Sequence, residues 1–220
     1  MIRYCIFDLD GTLLDTIRSI THYLNETLKE EELLTITEEE CRAFIGDGAA
    51  KLVERAVRKS GNVSQLRYGR VLEKYNSRYD ASPEYLTEPY EGMIPLLDLL
   101  AHRGITLGVI SNKPDATTVS LVRHFFGDRF SFVVGGKRGE PLKPAPDTTL
   151  AMLRDMGGDP SELAFIGDSP QDIATGKNAG AALTVGVLWG FRSREDLLLA
   201  GADVLVDAPS DIASAIGVTA

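Results

Sequence analysis

A chain of 220 residues, of which 44% are hydrophobic and 25% are charged, has an ordinary globular composition and is long enough for a substantial core with a second small domain. The 23 lysines and arginines against 32 aspartates and glutamates give a formal net charge of -9, which argues against nucleic acid and anionic membranes as partners. An anionic small substrate would therefore need a local positive pocket.

The apolar and cysteine residues narrow the class of protein further. Nowhere do about 18 apolar residues follow one another, so no membrane span is expected, and acidic residues follow the N-terminus too soon for a signal peptide. Cys5 and Cys41 lie far apart without metal-type spacing, which argues against a disulfide framework and a zinc site. We expect a soluble protein of a reducing cytoplasm.

The first predicted element is a strand that ends in two acidic residues. The apolar run from Tyr4 to Leu9 predicts this strand, and Asp8 and Asp10 lie at its end, just before Gly11, which permits a turn. One carboxylate there could attack a substrate while the other transfers a proton or offers a backbone ligand. The alternatives are a polar turn with solvated carboxylates and a calcium-binding loop, of which the preceding strand disfavours the second.

The next part of the chain, from about Asp15 to Pro89, contains no convincing strand. Its amphipathic stretches are Ile17 to Glu32, Ala49 to Ser60 and Gln65 to Tyr79. We predict an α-helical cap domain over residues 16–88, inserted after the first strand of an α/β core made of residues 1–15 and 89–220. Such an insertion could form a lid over the site. The alternative is that these helices simply pack on the sheet.

Beyond the insertion, apolar runs alternate with helix candidates. Continuous apolar runs suit strands that crossover helices cover on both faces, so the pattern predicts a Rossmann-like, mostly parallel sheet. The runs are Ile105 to Ile110, Phe130 to Val134, Leu163 to Ile166, Leu183 to Leu188 and Val204 to Val206; the helix candidates are Met93 to His102, Ala116 to Phe126, Asp147 to Met156 and Pro170 to Ala179.

Two polar segments in this half carry groups that suit phosphate. Ligands of open parallel sheets bind beyond the carboxyl ends of the strands, and Ser111 and Asn112 directly follow an apolar run. A hydroxyl and backbone N–H groups there can hold phosphate oxygens, although turns and helix caps use the same residue types. Lys143 lies between prolines that could aim its ammonium group at a carboxylate and a phosphoryl oxygen; a solvated loop lysine is the alternative.

A third segment, after the run Leu163 to Ile166, is acidic. Asp168 could coordinate Mg²⁺, and Asp172 could help to position the metal ligands, because oxygen donors suit this cation. Alternatively, Asp168 caps a helix and Asp172 places a favourable charge in its first turn. The two interpretations are compatible.

These segments, in this order and at predicted strand ends, resemble the motifs of the haloacid dehalogenase superfamily over nearly the whole chain. The resemblance implies that Asp8 attacks phosphorus and that Asp10 acts as general acid and then as base. It also implies an Mg²⁺ site and a phosphate site. The implied metal ligands are Asp8, the Asp10 backbone carbonyl and Asp168, with Asp172 in support, and the implied phosphate-binding residues are Thr12, Ser111, Asn112 and Lys143.

Within that superfamily, the chain looks like the phosphoglycolate phosphatase group. The similar segments are Phe44 to Ala49, Ser111 to Pro114 and Val187 to Gly190. The resemblance implies hydrolysis of a small phosphate ester, 2-phosphoglycolate or a similar metabolite, with Gly46, Asp47 and Gly48 as the specificity loop of the cap. An ordinary interhelical turn is the alternative for that loop. Ala145, where the group often has histidine, and the weak match after Gly48 are departures.

Other functions remain alternatives to hydrolysis. A β-phosphoglucomutase-like enzyme would use the same aspartyl phosphate, but that subgroup tends to carry Gly-x-Ser-Arg in its cap loop, whereas this chain has Gly46-Asp47-Gly48-Ala49. A noncatalytic phospho-receiver module would not require the long helical insertion. We therefore expect a phosphatase, either a monomer or a homodimer, that acts on a small phosphate ester rather than on nucleic acid or a membrane.

Overall fold

The structure is a computed structural model that describes residues 1–61 and 63–218. Residue 62 of the predicted insertion and residues 219–220 of the predicted core lie outside the described residues. The chain divides into two compact units, one comprising residues 1–15 and 89–220 and the other residues 16–88. Within the described residues, no helix combines the length and the apolar character that crossing a membrane requires.

The elements of the described residues follow a β-then-α alternation that the helices of the second unit interrupt. The strands are β1 (Tyr4–Phe7), β2 (Leu14–Asp15), β3 (Glu88–Pro89), β4 (Thr106–Pro114), β5 (Phe132–Gly136), β6 (Leu163–Gly167), β7 (Leu183–Val187) and β8 (Val204–Val206). The helices are α1 (Ile17–Glu30), α2 (Glu38–Phe44), α3 (Ala49–Arg58), α4 (Gln65–Ala81), α5 (Met93–His102), α6 (Asp115–Phe126), α7 (Asp147–Asp155), α8 (Pro170–Asn178), α9 (Arg194–Leu199) and α10 (Pro209–Ala215).

The first unit is built on a sheet with the strand order β5-β4-β1-β6-β7-β8. Every pairing along this sheet is parallel, so the predicted α/β, Rossmann-like fold is confirmed. Phe7 of β1 lies beside Val109 of β4 on one side and beside Ile166 of β6 on the other. Because these three strands run in the same direction and in register, the polar residues that follow them reach one edge of the sheet.

The core of this unit lies on both faces of the sheet, as the sequence of β1 illustrates. Cys5 and Phe7 pack in a cluster with residues of α5, α6 and α10, whereas Tyr4 and Ile6 pack in another cluster with residues of α7. Successive side chains of a strand point to opposite faces. The uninterrupted apolar run therefore reflects a strand whose two faces are both covered.

Among the strand ends that differ from the prediction, those of β1 and β4 lie next to the candidate site residues. The first strand was expected to reach Leu9 but stops at Phe7, because the Leu9 carbonyl accepts hydrogen bonds from the N–H groups of Leu13 and Leu14 and the chain turns there. In contrast, β4 was expected to end at Ile110 but continues to Pro114, with an irregular register against β5 beyond Ile110. The polar segment after Ile110 is therefore part of a strand and not a turn.

Helices α2, α9 and α10 have no counterpart among the predicted elements. Each is only six or seven residues long, which is too short for a clear apolar period. Local hydrogen bonds start two of them: Thr37 and Glu40 form a capping box at α2, and Ser193 and Asp196 form one at α9. Such boxes satisfy backbone N–H groups that the first turn leaves without partners.

The second unit is helical, and α1 and α4 are tied together by rings and charges. Tyr23 of α1 meets Tyr79 of α4 edge-on, with ring centroids 5.6 Å apart. Just after α1, the buried Glu31 carboxylate pairs with Arg70 at 3.0 Å and with Lys74 at 2.7 Å, both on α4. A buried carboxylate needs such partners, so Glu31 links the two helices.

Candidate active site

A tight turn places the two acids that follow β1. The Asp8 N–H still donates to the Ile166 carbonyl at 2.9 Å, which holds Asp8 at the end of the sheet. Gly11 then adopts a φ of 84°, a left-handed conformation that favours glycine. A side chain at this position would also overlap the Asp168 carboxylate. Glycine is therefore required both by the turn and by the close approach of Asp168.

Lys143 lies at the centre of a buried group of carboxylates. Its Nζ is 2.7 Å from Asp8 Oδ1 and 2.6 Å from Asp172 Oδ1, and its side chain is only 4% exposed. Asp168 completes the group, because one oxygen each of Asp8, Asp168 and Asp172 lies within 4.8 Å of the other two. The structure thus brings together four side chains that the sequence places in three separate segments.

The charges in this group are out of balance. Burial raises the pKa of the Asp8 carboxyl well above its ordinary value, and Asp172 adds to the effect while Lys143 opposes it. Burial likewise raises the pKa of Asp168 to about 7, again with a contribution from Asp172. For Lys143, burial acts to lower the pKa, but Asp172 and Asp8 outweigh it and hold the pKa above its ordinary value. One ammonium group does not neutralise three buried carboxylates.

The same donors fit a hard divalent cation. Buried, closely spaced carboxylate oxygens are the ligands that Mg²⁺ prefers, and a cation among Asp8 and Asp168 would relieve their mutual repulsion. Both oxygens of Asp172 already have partners, which suits it to a supporting position. The carboxylate of Asp10 is turned towards Lys113, so a metal contact from Asp10 would come from its backbone carbonyl.

Asp172 lies in the first turn of α8, as its alternative interpretation predicts, whereas the N-cap residue is Ser169 and not Asp168. Its Oδ2 accepts the Ser169 N–H at 3.0 Å and the Ser169 hydroxyl at 2.6 Å, while Oδ1 accepts from Lys143. Gly167 packs so closely that an added Cβ would overlap the Asp172 side chain. The helix cap therefore orients the carboxylate that holds Lys143, and the two roles coincide.

Asp168 is held by the segment that follows β7. Its Oδ2 accepts the Phe191 N–H at 2.7 Å, and a Cβ at Gly190 would lie 2.5 Å from the same oxygen. The Trp189 indole N–H donates to the Thr12 carbonyl at 3.1 Å. Of these residues, Trp189 and Gly190 belong to a segment that carries the family resemblance, whereas no sequence signal predicts a role for Phe191. The segment braces Asp168 and the turn after β1 together.

Thr12 is placed differently from its predicted role as a phosphate ligand. Its hydroxyl lies 3.4 Å from Asp168 Oδ1 and donates to it, and its N–H donates to the Leu9 carbonyl at 3.3 Å. The side chain is fully buried. The contacts of Thr12 thus support Asp168 instead of presenting a donor to a phosphate group.

Asn112 and Ser111 point to opposite sides of β4, as neighbours in a strand do. The Asn112 amide accepts the Lys143 N–H at 2.8 Å and donates to the Lys143 carbonyl at 3.1 Å, so it clamps the backbone that carries the buried ammonium group. Ser111 is 5% exposed, and its hydroxyl accepts the Lys113 N–H at 3.2 Å. Asn112 therefore uses its side-chain oxygen and one Nδ2 proton to hold Lys143.

Lys113 is a charged residue of this edge that sequence analysis did not select. Its Nζ donates to both carboxylate oxygens of Asp10, at 3.0 and 2.9 Å, and its side chain is 6% exposed. The available signal was its position two residues after Ser111, which puts both on the same face if the strand continues. The expected end of β4 at Ile110 concealed that signal.

The predicted specificity loop lies in the second unit and is anchored within it. Gly46 and Gly48 have φ values of 124° and 84°, and Gly48 immediately precedes α3. Arg55 of α3 donates to the Phe44 carbonyl at 2.6 Å and forms an ion pair with Asp47. The loop conformation thus depends on glycine at two positions and on one arginine.

Comparisons with known proteins agree with this geometry. The family described as haloacid dehalogenase-like hydrolase matches residues 5–185. Proteins named phosphoglycolate phosphatase are 35% identical in Rhodospirillum rubrum, covering 94% of this chain and 88% of the relative, and 32% identical in Pectobacterium atrosepticum, covering 98% and 93%.

The likeness extends to solved structures. A crystal structure from Lactobacillus delbrueckii subsp. bulgaricus, provisionally named a phosphoglycolate phosphatase, superposes with a TM-score of 0.91 at 32% identity and covers 97% of this chain and 98% of its own. Sequence and structure thus agree over almost the whole chain. The chain belongs to the haloacid dehalogenase-like hydrolases.

Proposed function

We propose that this phosphatase hydrolyses 2-phosphoglycolate or a similar small phosphate ester, with Mg²⁺ and through a phosphorylated Asp8. Its coarser activity, that of a phosphoric monoester hydrolase, follows from the family and from relatives that match nearly the whole chain. The substrate class rests on the names of those relatives. The chemistry rests on one observation, the buried Lys143 shared between Asp8 and Asp172 at the strand ends.

Asp8 is the proposed nucleophile. A carboxylate oxygen attacks phosphorus as the bond from phosphorus to the ester oxygen breaks, which leaves an acyl phosphate on Asp8 and an alkoxide that takes a proton from Asp10. Water then attacks the phosphorus of the acyl phosphate and gives a proton to Asp10. Inorganic phosphate leaves, and Asp8 is a carboxylate again. This assignment uses the acid that contacts Lys143 from the end of β1 and the acid two residues further along the chain.

Charge is the main obstacle to this reaction, because a phosphate dianion must approach buried carboxylates. When bound, Mg²⁺ would lower the negative charge on Asp8, Asp168 and the phosphoryl oxygens. Lys143 supplies the positive charge of the protein itself, and Ser111 supplies a hydroxyl at the neighbouring strand end. In this proposal Asn112 acts through its backbone N–H and its clamp on Lys143, and Thr12 supports Asp168 instead of binding phosphate.

The second unit belongs to the same proposal as a domain that selects the substrate. Residues 16–88 would serve as the cap, and Gly46, Asp47 and Gly48 would form its specificity loop. The motivating observation is the ion pair between Arg55 and Asp47, which anchors the glycine-containing loop.

The proposal is tested by measuring phosphate release from a panel of esters with Mg²⁺. The panel contains 2-phosphoglycolate, p-nitrophenyl phosphate and β-glucose 1-phosphate. We expect 2-phosphoglycolate to be a preferred substrate and Asp8→Asn to lose at least about a thousandfold in kcat, because the amide is a poor nucleophile. Asp207→Asn is the control, since its side chain is 79% exposed.

Two results would contradict the proposal. Full turnover by Asp8→Asn would exclude Asp8 as nucleophile, whereas conversion of β-glucose 1-phosphate into its 6-phosphate isomer without phosphate release would indicate a phosphomutase. Hydroxylamine trapping of the acyl phosphate during turnover, followed by peptide mapping, locates the modified residue directly. Modification at a residue other than Asp8 would move the nucleophile.

A further inference from the structure

Two lysines at the sheet edge pair with different carboxylates. Lys143 contacts Asp8 and Asp172, whereas Lys113 makes two hydrogen bonds to the single carboxylate of Asp10. The proposed phosphoryl transfer uses Lys143 for charge and leaves Lys113 without a role. The Lys113 and Asp10 side chains are only 6% and 13% exposed, so water screens their interaction poorly.

The backbone of Lys113 is held at both of its polar groups. Its N–H donates to the Ser111 hydroxyl at 3.2 Å, and its carbonyl accepts the Thr118 hydroxyl of α6 at 3.2 Å. The ammonium group therefore projects from a fixed point on β4. Asp10, by contrast, lies beyond the end of β1 in the turn that Gly11 makes, where its pairing is an isolated bridge to Leu14.

A group that transfers protons must stay within reach of the reacting oxygen, and small displacements are costly in rate. Donation from one ammonium group to both oxygens restricts rotation of the Asp10 carboxylate. It also offsets the negative charge of a carboxylate that is only 13% exposed. Without Lys113, the Asp10 carboxylate would lose both of the hydrogen bonds that hold its orientation.

We propose that Lys113 is the positioning residue of Asp10 and acts on phosphoryl transfer only through that carboxylate. This inference rests on the proposed function, in which Asp10 gives a proton to the departing oxygen and later accepts one from water. Loss of Lys113 should then resemble partial loss of Asp10 and should differ from loss of Asp8 or Lys143, which touch the phosphoryl group.

The experiment compares Lys113→Met with wild type on two esters that differ in their need for an acid. The alkoxide that leaves 2-phosphoglycolate requires a proton, whereas p-nitrophenolate leaves without one. We expect Lys113→Met to lose about a hundredfold in kcat on 2-phosphoglycolate, within the range that general acid–base catalysis contributes. KM should change less than about threefold, because the phosphate-binding groups remain in place.

The p-nitrophenyl ester gives a second readout that a merely structural role would not produce. Formation of the acyl phosphate needs no acid with this ester, whereas its hydrolysis still needs a base. Rapid mixing should therefore show a burst of p-nitrophenolate, of about one equivalent per enzyme, followed by slow turnover. Lys177→Met is the matched control: it removes a lysine from a surface ion pair with Asp203 and should leave both esters unaffected.

Asp10→Asn and the double variant Asp10→Asn/Lys113→Met separate the inference from the proposed function. If Lys113 acts through Asp10, the double variant should be no slower than Asp10→Asn alone; it also removes both buried charges, which protects folding. Multiplied losses would overturn the inference, as would an equal loss on both esters without a burst. If Lys113→Met does not fold, Lys113→Gln is judged by the same criteria. Full activity of Asp8→Asn would instead overturn the proposed function.

Discussion

The strongest prediction about stability concerns Asp168, because its charge is unfavourable in the folded protein without a cation. The carboxylate is 2% exposed and faces the charge of Asp172. Replacement by asparagine keeps the shape of the side chain and an oxygen to accept the Phe191 N–H. It removes one of the three negative charges that surround Lys143. We therefore expect Asp168→Asn to abolish turnover with Mg²⁺ and yet to stabilise the metal-free protein.

The magnitude follows from the pKa. A carboxyl whose pKa is about 7 in the folded protein instead of 3.8 lowers the free energy of unfolding by about 4 kcal/mol at pH 8, where it is charged in both states. The amide forms weaker hydrogen bonds than the carboxylate, which reduces the expected gain in stability by about 1 kcal/mol. We expect a net gain of about 3 kcal/mol, which would raise Tm by about 6 °C or more for a chain of this size.

The sign of the pH dependence provides a sharper test. Because the pKa is raised on folding, the penalty is complete above pH 7 and fades as the pH falls towards 3.8. Thermal unfolding with a chelator should therefore show the advantage of Asp168→Asn at pH 8 shrinking at pH 5, and added Mg²⁺ should stabilise only wild type. Asp207→Asn should change stability by less than about 0.5 kcal/mol at either pH. A variant no more stable than wild type at pH 8, or a constant advantage, would refute the reasoning.

Two further predictions concern the segment that braces Asp168. Gly190→Ala places a Cβ 2.5 Å from Asp168 Oδ2, so the Mg²⁺ concentration for half-maximal activity should rise at least about tenfold, as it does when a group that orients a metal ligand is changed. Gly69→Ala is the control, because nothing lies within 4 Å of a Cβ at that position. Equal Mg²⁺ titrations of the two variants would contradict the prediction. Trp189→Phe removes the hydrogen bond to the Thr12 carbonyl and should cost about 1 kcal/mol in urea unfolding, so an unchanged midpoint would count against that bond.

The fold was predictable because its strands have a clear sequence pattern. Runs such as Tyr4-Cys5-Ile6-Phe7 are apolar at every position, which is typical of parallel strands covered on two faces, and helical segments separate them. Parallel strands bring their carboxyl ends to one edge of the sheet, so the fold class placed Asp8 and Asp168 at the same edge. Their contact also requires that β1 and β6 be neighbours in the sheet, which the apolar runs do not specify.

The contacts that the sequence did not predict depend on strand register and on the course of the chain between elements, and a local sequence pattern specifies neither. Lys113 faces Asp10 only because β4 continues beyond Ile110, and polar residues gave no sign of that continuation. Phe191 reaches Asp168 through a backbone N–H, a group that every residue except proline carries, so its identity offers no signal. Residue type can predict which carboxylate or ammonium group belongs to a site, but it does not predict which backbone groups bind that side chain.

The same limit applies to Thr12 and Asn112, which the family resemblance implied as phosphate-binding residues. Both residues have hydrogen-bonding capacity and use it inside the protein. The hydroxyl of Thr12 donates to Asp168, and the amide of Asn112 binds the backbone of Lys143 on both sides. A polar side chain near a site serves the ligand or the residues that hold the ligand, and only the geometry distinguishes the two.

The alternation of side chains at the end of β4 also limits where the protein can tolerate an insertion or a deletion. Ser111 and Lys113 face one way and Asn112 the other, so removing or adding one residue just before them would exchange the two faces. The lysine would turn away from Asp10 and the amide away from Lys143 in a single event. Length variation among homologues should therefore spare this strand end and accumulate in exposed connections such as residues 137–141, even where individual residues of the strand end have been substituted.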